Sequence, residues 1–289
     1  MHTKVLSDIP DQVLPKKDIK VAFFDIDGTL LGLDGNYAKT VAQEITRIQA
    51  QGIKTAIASG RPSFAATFIA EELSLQDPGL FCTGAHLYHP REHTSLQMFG
   101  MDTALCQALT EYLRRSEIYY EVYTEASYFV ESNRSENIRH THTEHMRVAP
   151  QNTPFEQVIE NSRVVKFLVA VDNKEAHHTL CEMENTFPEC HFAYASIAKY
   201  PDWQFASIID KSACKHNAFD ALLKYYDVVA DNVISFGDAQ SDVVFLQRSG
   251  LGVAMGNAKP EVKAQSDYVT KPVWEDGVAY ALSRLIPKL

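Results

Sequence analysis

Cysteine is sparse in this sequence and carries no pairing pattern. Cys82, Cys106, Cys181, Cys190 and Cys214 are odd in number, widely spaced and free of any C-x-x-C pair. That fits buried thiols in a reducing compartment better than a disulfide framework. Long apolar runs are missing too: nothing approaches the length that crosses a bilayer, and the start, MHTKVLSDIPDQVLPKKD, has no apolar segment ahead of a cleavage site. A soluble cytoplasmic protein with no membrane partner is the expectation. Positive charge is also short, with 27 Lys and Arg against 37 Asp and Glu, a formal net charge of -10, and no basic run to track a nucleic-acid backbone. No nucleic-acid partner is expected. A phosphate compound remains possible, because the local charge of a site decides that, not the total.

What is present is enough chain for a sizeable core: 289 residues, 45% hydrophobic and 22% charged. After a polar, Pro-containing lead over residues 1–17, expected to be loosely held, IKVAFF reads as a buried strand ending at Asp25. Ala38, Val41, Ala42, Ile45 and Ile48 recur at helical spacing, Gly52 stops that helix, and IKTAIAS reads as a second strand running into Gly60-Arg61-Pro62. A helix over SFAATFIAEEL and a strand at LFCT complete a strand–helix rhythm typical of a parallel sheet, whose ligands gather at the carboxyl ends of strands. Asp25, Ser59 and Thr83 all fall at such ends.

The rhythm breaks after Gly84. Strand candidates at LQMF, IYYEVY, SYFVES, VVKFLVAV and CHFAYAS, with helices between them, point to a separate α+β layer over residues 88–209. From Cys214 the parallel rhythm returns. The expected fold is therefore α/β: a Rossmann-like three-layer core from residues 18–87 and 210–289, with an inserted cap able to cover the strand ends as a lid.

Two acidic clusters carry the chemistry. In Asp25-Ile26-Asp27-Gly28, two carboxylates one residue apart cannot both be buried without a cation, which calls for a metal or a substrate counter-charge. One side chain could attack while the other exchanges a proton, and Gly28 would permit the turn that brings them together. An Asp-Gly turn with capping aspartates is the plain alternative. In Gly237-Asp238-Ala239-Gln240-Ser241-Asp242, the two aspartates can point to one locus if a helix starts between them, and their oxygens suit Mg²⁺. Asp238 as a simple helix cap competes with that reading. Ser59-Gly60-Arg61 offers a hydroxyl at the second strand end, against ordinary helix capping with Arg61 in solvent. Lys215 stands in the first turn of a helix, where a cation gains nothing from the dipole and a negative partner would explain it. Spacing leaves Lys211 as a competitor.

DIDGTL, ASGR, CKHNA and GDAQSD, in that order, resemble the four signature motifs of the haloacid dehalogenase superfamily, and specifically its Cof-type phosphatases with a subclass IIB cap between the second and third motifs. The resemblance spans residues 19–286 and includes Gly256-Asn257-Ala258, Asp267-Tyr268-Val269 and Glu275-Asp276-Gly277-Val278 in the tail. It implies that Asp25 is the phosphorylated nucleophile and Asp27 the general acid and base. It further implies that Ser59 and Gly60 bind phosphate together with Lys215, which it selects over Lys211, with Asn257 near the phosphate and metal shell. By the same resemblance Asp238, Asp242, Asp25 and the Asp27 carbonyl hold Mg²⁺. Arg61, Thr83, Gly84 and His216 are possible substrate contacts. Three positions depart from the family pattern: Thr83 for asparagine, His216 for glycine and Ser241 for asparagine.

The resemblance implies a Mg²⁺-dependent phosphoric monoester hydrolase acting through an aspartyl phosphate on a small metabolite, of the sugar phosphate or pyridoxal phosphate type, as a monomer or homodimer. A sugar phosphomutase would need a second phosphate site, for which Arg134, Arg139 and Arg147 could be recruited, although plain surface solvation is the expected role of all three. A non-catalytic phospholigand-binding protein is the other alternative, and Asp27 poised as acid and base argues against it. His140, His142 and His145 match no strong zinc spacing and read as a solvent-facing cap loop. His86, His89 and His93 read as hinge packing, and Tyr119, Tyr120, Tyr123 and Tyr128 as sheet packing.

Overall fold

The computed structural model describes residues 4–10, 14–131, 136–195 and 202–287. In chain order the core opens with β1 (Lys4–Val5), β2 (Val21–Phe24), α1 (Lys39–Ala50), β3 (Lys54–Ile57), α2 (Thr67–Glu72) and β4 (Gly79–Phe81). A hairpin follows, β5 (His86–His89) and β6 (Thr94–Met98). The cap contains α3 (Thr103–Arg115), β7 (Tyr119–Tyr123), β8 (Tyr128–Val130), α4 (Glu136–Met146), β9 (Gln151–Asn152), α5 (Phe155–Asn161), β10 (Lys166–Asp172), α6 (Asn173–Thr186), β11 (Cys190–Ala195) and β12 (Trp203–Asp210). The chain re-enters the core through α7 (Lys215–Tyr226), β13 (Val233–Gly237), α8 (Val243–Arg248), β14 (Leu251–Ala254), α9 (Pro260–Lys263), β15 (Tyr268–Val269) and α10 (Gly277–Leu285).

β2 shows why the core has three layers. Its residues alternate in direction, as strand residues must. Ala22 and Phe24 pack with α1 and α10, whereas Val21 and Phe23 pack with α7 and α8. A strand apolar on both faces needs helices on both, and parallel crossovers supply them. The six strands run in the order β1-β15-β14-β13-β2-β3, every pairing parallel. β3 is continued by β4 through a bridge from Ala58 to Leu80 and a hydrogen bond from the Ser59 amide to the Leu80 carbonyl at 3.0 Å.

Two expectations are corrected. Residues 4–10 are not a loose lead: β1 pairs with β15, Leu6 is fully buried, and Arg284 donates to the Leu6 and Ile9 carbonyls. Burial of Leu6, the β1–β15 pairing and the Arg284 hydrogen bonds act together against the entropy lost on ordering the segment. The segment 88–98, assigned to the cap from sequence, pairs in a three-stranded antiparallel sheet with β4 instead, in the order β4-β5-β6. His86 belongs to this hairpin, with Nε2 2.6 Å from Ser95 Oγ.

The cap sheet runs β11-β12-β10-β7-β8-β9, antiparallel except for the last pair. Strand alternation again decides what faces where. Tyr120, Val122, Phe167 and Val169 pack with α3 and α5, away from the core. The opposite parity turns Tyr119, Tyr123, Leu168 and Phe205 toward the strand ends of the core, where they pack with Ala65, Cys82 and Ala85. Glu121 and Ser207 both stand opposite Leu168 in the strand register, so they share its face.

Candidate active site

Asp25 follows the last residue of β2, and its amide still donates to Phe236 of β13 at 3.1 Å. The chain then turns sharply: the Thr29, Leu30 and Leu31 amides all return to the Ile26 carbonyl, and the Gly28 amide donates to Leu31 at 2.9 Å. Gly28 has φ +79°, and a Cβ there would stand 2.3 Å from Asp238 Oδ2. Only glycine accepts both the conformation and the approach. The Gly28 amide is thus taken within the turn and is not free to cradle a phosphate.

On the neighbouring strand end, Asp242 Oδ2 accepts from the Asp238 and Ala239 amides at 3.1 and 2.9 Å, closing the turn after β13. Its other oxygen accepts from Lys215 Nζ at 2.7 Å, and Lys215 also reaches the Ala58 carbonyl at 3.5 Å. Lys215 is thus bonded to Asp242, not to Asp25, although its charge still acts on Asp25. Lys211 is excluded as its rival: it is exposed and donates to Pro188.

Asp25, Asp238 and Asp242 each offer an oxygen within 4.8 Å of the others. Burial, with Asp242 alongside, pushes Asp25 well above the usual carboxylate range, and Lys215 offsets this only in part. Burial and the charges of Asp242 and Asp27 push Asp238 up to about 7. Carboxylates crowded this closely resist ionising together, and a hard cation relieves both desolvation and repulsion. An all-oxygen, acidic donor set of this size fits Mg²⁺.

Asp27 lies in a different electrostatic setting. Arg61 grips it with two hydrogen bonds of 2.7 Å, from Nε to Oδ2 and from Nη2 to Oδ1. Burial alone would raise its pKa, but the Arg61 fork prevails and lowers it. The Asp27 side chain is 40% exposed, so it faces the cleft between core and cap. Arg61 is buried, not in solvent, and its Nη1 donates to the His145 carbonyl on α4 at 2.9 Å. His145 Nε2 lies 3.8 Å from Asp27, and burial takes its pKa down to about 4. Arg61 therefore ties the second motif, the DIDG loop and the cap into one assembly.

The cleft occupies about 180 Å³, with Asp25, Asp27, Ser59, Gly60, Arg61 and Thr83 on its core side. Ser59 is buried and its Oγ accepts from the Arg61 amide at 3.3 Å. Thr83 holds a left-handed backbone at φ +61°. Gly84 does not line the cleft; a Cβ there would meet the Cys214 carbonyl carbon at 2.7 Å, so its role is close packing against the start of α7. His216 is likewise not a contact, since its side chain is 59% exposed and points to Asp220 at 3.8 Å. Asn257 reaches Gly28 O at 2.9 Å and Asp238 Oδ2 at 3.2 Å while accepting from the Val273 amide, so it braces the loops that follow β2 and β13 instead of facing open cleft. Ser241 lines the cleft beside Asp242.

Sequence reasoning missed most of the cap side. The histidine cluster is helix α4, not a loop: His140 is exposed beside Glu144, while His142 and His145 line the cleft. Lys166 lines it too, as a lone cation inside the apolar run VVKFLVAV, and that interruption was the available signal. Glu121 interrupts IYYEVY in the same way; it is fully buried and accepts from Tyr119 and Tyr123, whose hydroxyls therefore do more than pack. Of the arginines considered for a second phosphate, Arg147 donates to the Gly35 carbonyl, Arg139 does not line the cleft, and Arg134 lies outside the described residues. Among the described residues no helix is long and apolar enough to cross a membrane.

Comparison with known proteins agrees with this arrangement. The family model for haloacid dehalogenase-like hydrolases matches residues 22–282. The pyridoxal phosphate phosphatase YbhA of Escherichia coli (strain K12) is 25% identical over 271 residues, covering 92% of this chain and 99% of its own. The 5-amino-6-(5-phospho-D-ribitylamino)uracil phosphatase YitU of Bacillus subtilis (strain 168) is 26% identical over 269 residues, covering 88% and 93%. A haloacid dehalogenase-like hydrolase from Bacteroides thetaiotaomicron superimposes with a TM-score of 0.81 over 93% of this chain and 100% of that one, at 24% identity, and shares its fold. With that match over residues 22–282 and a parallel core carrying an inserted cap, this chain belongs to the haloacid dehalogenase-like hydrolases.

Proposed function

We propose that the protein is a Mg²⁺-dependent phosphatase that hydrolyses a small phosphorylated metabolite, of the sugar phosphate or pyridoxal phosphate type, through an aspartyl phosphate on Asp25. The observation that carries this reading is the contrast between the two aspartates of one loop. Asp25 is buried among carboxylates at the foot of the cleft, whereas Asp27 faces the cleft and is held by Arg61. One is sited to attack, the other to move a proton.

Asp25, Asp238 and Asp242 would hold Mg²⁺, with the Asp27 carbonyl as a further ligand. When bound, the ion neutralises the carboxylate cluster and draws charge from the phosphoryl oxygens. Asp25 attacks phosphorus in line as the bond to the ester oxygen breaks, and Asp27 gives that oxygen its proton. Water then attacks the aspartyl phosphate, Asp27 takes its proton, and Asp25 and inorganic phosphate are released. Ser59 and Lys215 stabilise the transferring group. In the state described Arg61 keeps Asp27 ionised, which suits the second step. For the first, the arriving phosphate must draw Arg61 away so that Asp27 can carry a proton.

The test is phosphate release from a panel of phosphate monoesters with and without Mg²⁺. Release is expected with the ion and is expected to vanish on chelation and in Asp25→Asn. Near wild-type release from Asp25→Asn would contradict the reading.

A further inference from the structure

The cap side of the cleft contains two buried polar groups that the hydrolytic chemistry leaves unused. Lys166 is 3% exposed. Its Nζ donates to the Gly60 carbonyl at 3.3 Å and lies 4.1 Å over the Tyr123 ring, and among the described residues no carboxylate stands within 4.0 Å. An ammonium has three protons to place, and one long carbonyl bond and an aromatic face leave most of that capacity open. Burial lowers its pKa, so the charge is held at a cost. A cation present only to stiffen the cap would have its own carboxylate.

The second group is His142, whose side chain is 6% exposed. Its Nδ1 lies 2.9 and 2.8 Å from the two oxygens of Glu121, which also accepts from Tyr119 at 2.6 Å and Tyr123 at 2.5 Å. Burial would raise the Glu121 pKa, but His142 and the two hydroxyls lower it, so the carboxylate is ionised. An ionised carboxylate on Nδ1 fixes the imidazole's orientation and proton there, leaving Nε2 for something else. Nε2 has no protein partner among the described residues, and the ring lines the cleft, stacked 6.2 Å from Phe205 at 23°.

We infer that Lys166 and His142 form a leaving-group subsite that grips an acidic hydroxyl or carbonyl oxygen on a flat ring, with Glu121 as the positioning residue. The subsite thereby selects phosphate esters of hydroxylated heteroaromatic alcohols over those of polyols. This rests on the proposed hydrolytic reading of the cleft. The cap wall beside them includes Met146, Leu168 and Phe205, which welcome a ring face, with His145, Tyr194 and Ser207 at other points of the lining. A polyol turned toward Met146, Leu168 and Phe205 would leave the hydroxyls on that side unpaired, at about 1–3 kcal/mol each. A flat ring lays an apolar face on the same side chains and turns its acidic oxygen to Lys166 and His142.

The experiment measures kcat/KM for pyridoxal 5′-phosphate, phenyl phosphate and glucose 6-phosphate, together with equilibrium binding of pyridoxal. It uses wild type, Lys166→Met, His142→Gln and Glu121→Gln, each first verified as folded by circular dichroism. Wild type is expected to favour pyridoxal 5′-phosphate over glucose 6-phosphate by about a hundred-fold. Lys166→Met and His142→Gln should each cut the preference for pyridoxal 5′-phosphate over phenyl phosphate about ten-fold and weaken pyridoxal binding similarly. Glu121→Gln should raise KM more than it lowers kcat, which a general loss of structure would not do. Preference ratios and pyridoxal binding that do not move, or a preference for glucose 6-phosphate, would overturn the subsite while leaving the hydrolytic reading intact. Absence of turnover with pyridoxal binding still weakened by Lys166→Met would do the reverse.

Discussion

The cleft has one acidic wall and one basic, aromatic wall. On the core side Asp25, Asp238 and Asp242 crowd together, and burial with mutual repulsion raises Asp25 and Asp238. On the cap side Lys166, His142 and His145 face them across the cleft, and Glu121 behind His142 is satisfied by two hydroxyls and an imidazole. The core wall has more carboxylates than Lys215 and Arg61 offset and asks for a cation; the cap wall has donors to spare and asks for an oxygen-bearing ligand. The difference separates chemistry from recognition. The reacting groups belong to loops at adjacent strand ends, while the groups that would choose the substrate belong to a sheet and helix that close over them. Arg61 is where the two meet, bonded to Asp27 on one side and to the His145 carbonyl on the other.

Substitutions on each wall break this division in different ways. The largest effect is expected from Asp27→Asn, which removes proton transfer from both half-reactions and should lower kcat by about 10² to 10⁴; steady-state phosphate release measures it. Asp238→Asn comes next. It should raise the Mg²⁺ concentration needed for half-maximal rate by about ten-fold or more and reduce the rise in melting temperature that Mg²⁺ gives the wild type, as read by calorimetry. Gly28→Ala should cost about 1–2 kcal/mol from the left-handed backbone alone, and more because the added carbon meets Asp238, as read by denaturant unfolding.

The smallest effect lies on the cap. Glu121 has a folded-state pKa below its ordinary value, so the stability it contributes is present above the usual glutamate range of about 4.3 and is lost as pH falls through its lowered value. Wild type should therefore lose stability on the acid side more steeply than Glu121→Gln. Equal acid limbs in the two proteins would mean that the Glu121–His142 pair carries no charge.

The same division explains what could be read from the sequence. Asp25, Asp27, Asp238 and Asp242 lie within short segments that follow apolar strands, so local pattern was enough to bring them together, whereas Lys215 was separated from Lys211 only by the family resemblance. Arg61 was visible but not its partner, because the fork to Asp27 joins residues 34 apart in sequence. Cap residues were harder still. Glu121, Lys166 and Phe205 share a face only through strand register, and a shift of one residue would turn each of them away from the cleft. Glu121 and Lys166 leave as their trace a single charge within an apolar run, which reads equally as an edge-strand residue, and Phe205 leaves none. The edge strand β1 was hidden for a related reason, since two residues give no periodicity to detect.

The central claim is that Asp25 becomes covalently phosphorylated. The most direct test is rapid acid quenching of Asp27→Asn with Mg²⁺ and excess 4-nitrophenyl phosphate, whose leaving oxygen departs without a proton from residue 27, followed by peptide mass spectrometry. With the second step impaired, phosphoryl should accumulate on the peptide containing Asp25 and nowhere else. Steady phosphate release by the wild type, with Asp25 unmodified at every quench time in both proteins or phosphoryl on another residue, would contradict it.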